Sequence, residues 1–252
     1  MDEHPWFVSA MRVLDTVYGS DKAALRLADL GCLEGGFTVA FARKGFQAVG
    51  VEVRASNVEA CTYVKSRTDL PSLSFVQDDV WNIAAHGNFD VMFCAGLLYH
   101  IDDPKRFMEM LSSCTSKVLI LHTHFAVETN VPVDSTRRGG LRGRWQRPEP
   151  RDTGDSTYNL GPMTRHEGLR GRWYTEFADD AKFKRRDDLR WASWENHRSF
   201  WIQREFLLGT IRNVGFDLVF EQFDSLGADI AQEMTSGYYA THRRGMFVGI
   251  KT

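Results

Sequence analysis

The chain has 252 residues, 43% hydrophobic and 25% charged, enough for one large α/β domain or one domain with a sizeable insertion, and a tight fit for two. A formal net charge of −2 provides no global attraction to nucleic acid or to an anionic membrane but leaves room for a local patch, so no partner class follows from charge. No run of about eighteen apolar residues occurs. The first residues, MDEHPWFVSAMRVL, are acidic where a secretory signal is basic, so a cytoplasmic protein is the default expectation.

In chain order, an N-terminal helix precedes Arg26–Cys32 (RLADLGC), a short apolar strand ending in a glycine turn, and Gly36–Lys44 follows with helical spacing. Gln47–Val53 reads as a second strand and Ser56–Arg67 as a second helix of the repeating unit. Leu73–Val76, Phe89–Ala95 and Val118–His122 read as further strands. Asp103–Cys114 reads as a helix between the last two, with Asp102 or Asp103 as N-cap and Pro104 in its first turn. Ser199–Asn213 is expected to be a helix stopped by Gly215, and Asp217–Phe223 and Gly245–Lys251 to be closing strands, a pair that could run antiparallel. Strand and helix in alternation are the pattern of a parallel sheet with crossover helices. Between Val127 and Arg198 that rhythm is lost, and GLRGRW occurs twice, at Gly140–Trp145 and Gly168–Trp173. This stretch reads as an insertion, a lid or a loop, and the duplication as either a repeated loop segment or a paired anion-binding feature.

The strongest chemical signal is DLGCLEGG, Asp29–Gly36, where the first strand hands over to a helix. Gly31 permits a sharp turn and close approach to a ligand, and amides near Gly35 and Gly36 can face polar ligand atoms. Glu52 ends the next strand, where a carboxylate can accept both hydroxyls of a ribose. Leu33 stands where a second glycine would admit a pyrophosphate, which disfavours a dinucleotide.

Asp29–Val53 resembles the first motif and second strand of class I methyltransferases. The resemblance implies a Rossmann-like, doubly wound α/β fold: a seven-stranded, mostly parallel sheet with an inserted lid or subdomain after the fifth strand. The expected organisation is a single methyltransferase domain over 1–252 with an insertion at 127–198. It implies S-adenosylmethionine as cofactor, with Asp29, Gly31, Cys32, Leu33 and Gly35 in the loop under its methionine part and Glu52 on its ribose. The third strand ends in Gln77-Asp78-Asp79-Val80, similar to the family's adenine contact; Asp79, with Val80 beside it, is preferred over Asp78. Phe89–His100 (FDVMFCAGLLYH) resembles the fourth motif, which brings Cys94 and Gly96 near the methionine moiety. The resemblance departs at Leu33, where many members carry glycine, and is silent on 127–198. GLLYHIDDP is also similar to methyltransferases of the transfer-RNA wobble uridine, and to many that act on small molecules.

Methyl transfer needs acceptor, methyl and sulfur in line in a dry pocket, and a base only where the acceptor holds a proton. His100, just after the fourth strand, is the expected base or orienting group, with Tyr99 beside it and His124 as an alternative base. His122 and His124 alternate onto one face of the fifth strand. Magnesium prefers oxygen ligands and spacing fixes no third ligand, so no metal is expected and His122 is assigned to the acceptor pocket. Tyr174, Glu176, Trp194, Asn196 and His197 are candidate acceptor contacts in aromatic stretches that could equally be packing. Residues 134–190 hold fourteen Lys or Arg against ten Asp or Glu, interleaved as in KRRDD, so an internally paired surface is the simpler reading. Cys32, Cys61, Cys94 and Cys114 lack any Cys-x-x-Cys pair and read as buried thiols. The expected activity is methylation of an oxygen or nitrogen of a small molecule, with an RNA methyltransferase of the same fold or a non-catalytic cofactor-binding protein as the alternatives. The expected partner is accordingly a small-molecule acceptor and no membrane, with nucleic acid not excluded.

Overall fold

The computed structural model describes residues 1–128, 160–177, 179–189, 192–224 and 243–252. The main sheet runs in the order β3-β2-β1-β4-β5-β10-β9. Its strands are β1 (Arg26–Leu30), β2 (Gln47–Glu52), β3 (Leu73–Gln77), β4 (Phe89–Ala95), β5 (Thr115–His124), β9 (Leu218–Gln222) and β10 (Arg244–Ile250). The first five are parallel, while β10 is antiparallel to both β5 and β9. The sheet therefore has the seven-stranded, mostly parallel Rossmann-like arrangement expected. The chain reverses direction across the sheet between β1 and β4, and it is outside the carboxyl ends of such strands that ligands gather.

The strands are apolar on both faces because both are covered. On one face Phe7, Ala10 and Leu14 of α1 (Pro5–Tyr18) and Val39, Ala40 and Phe41 of α2 (Gly36–Arg43) pack against Leu27, Val91, Phe93, Val118, Ile120 and Val248. On the other, Phe107 and Leu111 of α4 (Pro104–Ser113) and Leu207 and Ile211 of α6 (Arg204–Asn213) pack against Leu30, Met92, Leu119, Leu121 and Phe247. Alternation along β5 sorts Val118 and Ile120 to one face and Leu119 and Leu121 to the other. Helix α3 (Ala55–Ser66) buries little beyond Asn57 and Cys61. Asp103 is the N-cap of α4 with Pro104 at its first position, but its side chain does not cap. Glu167, in the turn of the inserted hairpin and itself at φ 50°, accepts from the amides of Lys105 and Arg106 instead.

Between β5 and α6 lies a second, three-stranded antiparallel sheet of β6 (Leu160–His166), β7 (Leu169–Thr175) and β8 (Arg198–Ile202), with α5 (Asp180–Lys184) between β7 and β8. This is the inserted element after the fifth strand. Strand β8 corrects the helix expected from Ser199: Ser199, Phe200 and Trp201 pair with Tyr174, Trp173 and Arg172, and the helix begins only at Arg204. Adjacent aromatics buried on opposite faces of a strand paired with β7 outweigh helix propensity there. Leu169, Phe200 and Ile202 join the α4 and α6 core, so the inserted sheet shares the main core. Of the two GLRGRW copies, Gly168–Trp173 builds β7, where Arg172 is buried and donates to the carbonyls of Val127, Glu128 and Gly161. In that copy Arg172 is spent on backbone and Arg170 pairs with Glu128; the copy at Gly140–Trp145 lies outside the described residues. All four cysteines are buried and none is in a disulfide. Among the described residues no helix is long and apolar enough to cross a membrane.

Candidate active site

The turn after β1 is built on left-handed backbone. Gly31 (φ 66°) and Gly35 (φ 79°) take it at no steric cost, and Leu33 takes it at φ 50°. A Cβ on Gly35 would lie 2.5 Å from the Phe75 ring, so the loop is packed down on β3. The left-handed Leu33 is held on both sides of its peptide: its amide donates to Glu52 Oε2 (3.0 Å), and its carbonyl accepts from Cys61 Sγ (3.0 Å). Glu52 Oε1 accepts from the Arg54 amide at 2.9 Å. A carboxylate offers about four lone-pair positions, so buried Glu52 keeps acceptor capacity for two hydroxyls after these two bonds.

Below the loop, Asp29 accepts from Thr38 Oγ1 at 2.6 Å. Burial pushes its carboxyl up to about 7, against the opposing pull of the Thr38 bond. Cys32 and Cys94 are thiols pushed upward, Cys32 chiefly by its contact with Cys61 and Cys94 by burial to about 12. At the end of β3, Asp78 is engaged by Asn82 and His86, both at 2.8 Å. The Asp79 carboxylate accepts from the Trp81 amide at 2.8 Å, with Val80 opening the short 3-10 helix behind it. Glu195 of the inserted segment contacts Asp79, and its carboxyl is raised by desolvation first and by that neighbour second. After β4, Gly96 (φ 84°) donates to the His122 carbonyl at 2.8 Å, and a Cβ there would meet Arg244 Nη2 at 3.6 Å and Tyr99 Oη at 3.8 Å.

His100 stands in the turn beyond β4. Its Nδ1 lies 2.9 Å from Glu176 Oε1, and Glu176, with only 2% of its side chain exposed, also accepts from Ser199 Oγ (2.7 Å) and the Ser193 amide (3.3 Å). A carboxylate only accepts, so Nδ1 carries the proton and Nε2 the lone pair. Among the described residues no hydrogen bond is made to Nε2. Around this pair stands an aromatic frame. Tyr99 is 4.2 Å from His100 and edge-on to His124 at 4.6 Å, and His124 and Tyr174 both stack on Trp201, at 4.7 and 4.9 Å. His122 stacks on Trp6 at 3.7 Å, so both histidines do share one face of β5. Burial keeps both neutral, with Arg244 as the next cause; His124 falls to about 3 and donates from Nδ1 to the Arg243 carbonyl.

The structure thus brings together His100, Tyr99, His124, Tyr174, Glu176 and Asn196, the last donating to the His100 carbonyl at 3.0 Å. Trp194 lies elsewhere, between the Arg54 and Arg186 guanidinium groups at 5.2 and 4.7 Å, on the side of Glu52. The contacts of His197 are with Phe177, Phe183 and Asp180 around α5. Sequence reasoning passed over Arg54, Ser193 and Arg244, of which Arg54, two residues beyond Glu52, carried a positional hint; Trp201 belongs to the aromatic stretch 191–201, which reads as pocket wall or packing. A group that could hold a metal occurs at Asp103, His166 and Glu167, but Glu167 is engaged by two helix amides and Asp103 by His166 at 2.9 Å.

The glycine turn, the terminal carboxylate of β2 and the aspartate after β3 lie together at the carboxyl ends of β1, β2 and β3, where a doubly wound sheet gathers its ligands. A family model described as a methyltransferase domain matches residues 7–220, and the chain belongs to that family, with the class I fold of S-adenosylmethionine-dependent methyltransferases. Among solved structures it is similar to the N-terminal domain of EvdMO1 with SAH bound (TM-score 0.64, 19% identity, 99% of this chain and 82% of that one). It is also similar to the Burkholderia thailandensis 1,6-didemethyltoxoflavin-N1-methyltransferase, bound to its didemethyltoxoflavin and S-adenosylhomocysteine (0.56, 12%, 99% and 80%). A third is the magnesium protoporphyrin IX methyltransferase of Synechocystis PCC 6803 with bound SAH (0.52, 13%, 100% and 83%). The curated relative in Escherichia coli, the O-antigen chain terminator bifunctional methyltransferase/kinase WbdD, is 26% identical over 105 residues, which are 38% of this chain and 15% of that protein.

Proposed function

We propose that this chain transfers the methyl group of S-adenosylmethionine to an oxygen or nitrogen of a small molecule, with residues 1–252 acting as one unit and the insertion at 127–198 helping to frame the acceptor. The observation that carries the reading is the His100–Glu176 pair at 2.9 Å, which engages Nδ1 and, among the described residues, leaves Nε2 without a hydrogen bond beyond the carboxyl end of β4. A cofactor-binding protein without catalysis has no use for an imidazole whose tautomer is set by a buried carboxylate.

The turn and strand ends fit the cofactor: Gly31, Cys32, Leu33 and Gly35 would lie under its methionine part, Glu52 would take the ribose hydroxyls, Asp79 the adenine amino group, and Gly96 would leave room beside the sulfur. Bound there, the cofactor supplies an electrophilic methyl on a sulfonium. His100 Nε2 accepts the acceptor's proton, Glu176 holds the ring and offsets the charge it gains, and the frame of Tyr99, His124, Tyr174 and Trp201 keeps water out. His124 is too deeply buried to gain a proton and serves as frame. The toxoflavin and magnesium protoporphyrin relatives act on small molecules, which supports this acceptor class over RNA. Among the described residues, the engagement of three of the insertion's arginines is in keeping with this: Arg170 pairs with Glu128, Arg185 with Asp188, and Arg172 is bound to carbonyls.

The test is transfer of labelled methyl to a panel of small hydroxyl and amine acceptors. With an acceptor found, His100→Gln should lower kcat about 10²- to 10⁴-fold while S-adenosylhomocysteine still binds. Labelling of RNA alone, or an unimpaired His100→Gln enzyme, would overturn the assignment.

A further inference from the structure

Residues 192–196 touch both halves of the site. On the cofactor side, the Ala192 carbonyl accepts from Arg54 Nη2 at 2.7 Å, and the Arg54 guanidinium lies 5.2 Å from the Trp194 ring. Arg54 is tied through its own amide to Glu52. Glu195 reaches Asp79. On the catalytic side, the Ser193 amide donates to Glu176 Oε2 at 3.3 Å. Ser193 Oγ reaches the His100 carbonyl at 3.4 Å and Asn196 Oδ1 at 2.6 Å, and Asn196 Nδ2 donates to the carbonyls of His100 (3.0 Å) and Arg198 (2.7 Å). The segment therefore alternates: residues 192, 194 and 195 face the strand ends that carry Glu52 and Asp79, whereas 193 and 196 bind the base and its carboxylate.

We propose that residues 192–196 couple cofactor binding to the placement of the catalytic base, with Ser193 and Asn196 as positioning residues for His100. The inference rests on the reading of Glu52 and Asp79 as cofactor residues and of His100 as base. Its physical content is a change of partner at Asp79. With Glu195 against it, two carboxyl groups share one place, a contact that is repulsive when both are ionised. An amino donor bound at Asp79 would replace that contact with a donor–acceptor pair and free Glu195 toward Arg186, the one cation among its charged neighbours Asp79, Arg186 and Asp102. The segment then seats on Arg54 without the repulsion, and seating sets Ser193 and Asn196 on His100. Linkage makes the effect reciprocal, so weakening the catalytic-side anchors must weaken cofactor binding as well.

The experiment uses the full chain with S-adenosylhomocysteine as ligand, calorimetry for affinity, and the ring resonances of nitrogen-labelled histidine, with His100 identified by its loss in His100→Gln. In the wild type the ligand should shift the His100 resonances. In Ser193→Ala/Asn196→Ala that shift should be lost and affinity should fall about fivefold or more. Ser193→Ala alone, which leaves both Asn196 Nδ2 bonds in place, should show the same losses in smaller measure and guards against a misfolded double variant. An affinity within twofold of wild type, or a His100 shift that persists in both variants, would overturn the coupling, since residues that merely hold a loop would give that result. Failure of the wild type to bind the ligand at all would overturn the cofactor reading beneath it, and an unimpaired His100→Gln enzyme the base reading.

Discussion

Glu52 shows how one residue can serve fold and ligand together. Its two oxygens hold the amides of Leu33 and Arg54, and so pin a leucine in the left-handed backbone that glycine takes at no steric cost. A non-glycine residue in this region costs on the order of 1 kcal/mol, and a charge-assisted bond to its amide, worth roughly 1.5–3 kcal/mol, more than offsets it. Glu52→Gln keeps the shape but turns one acceptor into a donor facing an amide hydrogen. It should weaken S-adenosylhomocysteine binding about 10- to 100-fold in calorimetry, with a lowered melting temperature. Unchanged affinity would remove Glu52 from the cofactor site. Leu33→Gly should relieve the turn and leave affinity within a few-fold. The carboxylate and the glycines were legible in sequence because turn chemistry and strand-end spacing are local. The partner of His100 was not, because Glu176 is 76 positions away and meets it only through the inserted sheet.

At the scale of elements, the central parallel strands could be read from their apolar runs, since β1, β4 and β5 are largely buried on both faces, and glycine follows β1 and β4 directly. The inserted hairpin escaped that reading. In LGPMTRH the proline and the exposed basic residues blur the alternation, and β8 reads as the first turn of α6 because RSFWI has no polar-apolar period of its own. What specifies this sheet is the close approach of β7 and β8 at Gly171, where a Cβ would lie 2.2 Å from the Trp201 carbonyl and 2.6 Å from the Phe200 ring. Backbone cannot yield as a flexible side chain can, so Gly171→Ala must separate the two strands. Since β8 carries Ser199 and Trp201 and β7 leads to Glu176, the predicted outcome is a fall in methyl transfer of tenfold or more with S-adenosylhomocysteine binding reduced less. Equal losses in both would mean that the inserted sheet supports the cofactor half to the same degree.

Across the whole molecule, the site's buried ionisable groups leave opposing marks on stability. Asp29, raised to about 7 by burial, holds its proton in the folded state where an unfolded aspartate has lost it. Its contribution is complete below the unfolded value near 4 and is lost as pH rises through 7. His124, lowered to about 3, behaves oppositely: the folded state refuses a proton that the unfolded chain accepts, so its contribution is present above about 6.5 and is lost as pH falls toward 3. His122, also held neutral by burial, adds to the second slope, and Glu221, raised by burial, adds to the first. Each proton of difference between folded and unfolded states is worth about 1.4 kcal/mol per pH unit. Differences between variants isolate these slopes from the remaining titrations. The stability of Asp29→Asn relative to wild type should therefore rise between pH 4 and 7, by about 4 kcal/mol at most, because asparagine keeps an acceptor for Thr38 without a proton to lose. The stability of His124→Gln relative to wild type should rise as pH falls from 6.5 to 4, since glutamine can donate to the Arg243 carbonyl and does not ionise. Denaturant melts at half-unit steps of pH measure both curves. A flat Asp29→Asn difference would mean that Asp29 is ionised in the folded chain, and then the carboxylate beneath the cofactor turn would carry a charge that its buried setting must compensate through Thr38 alone.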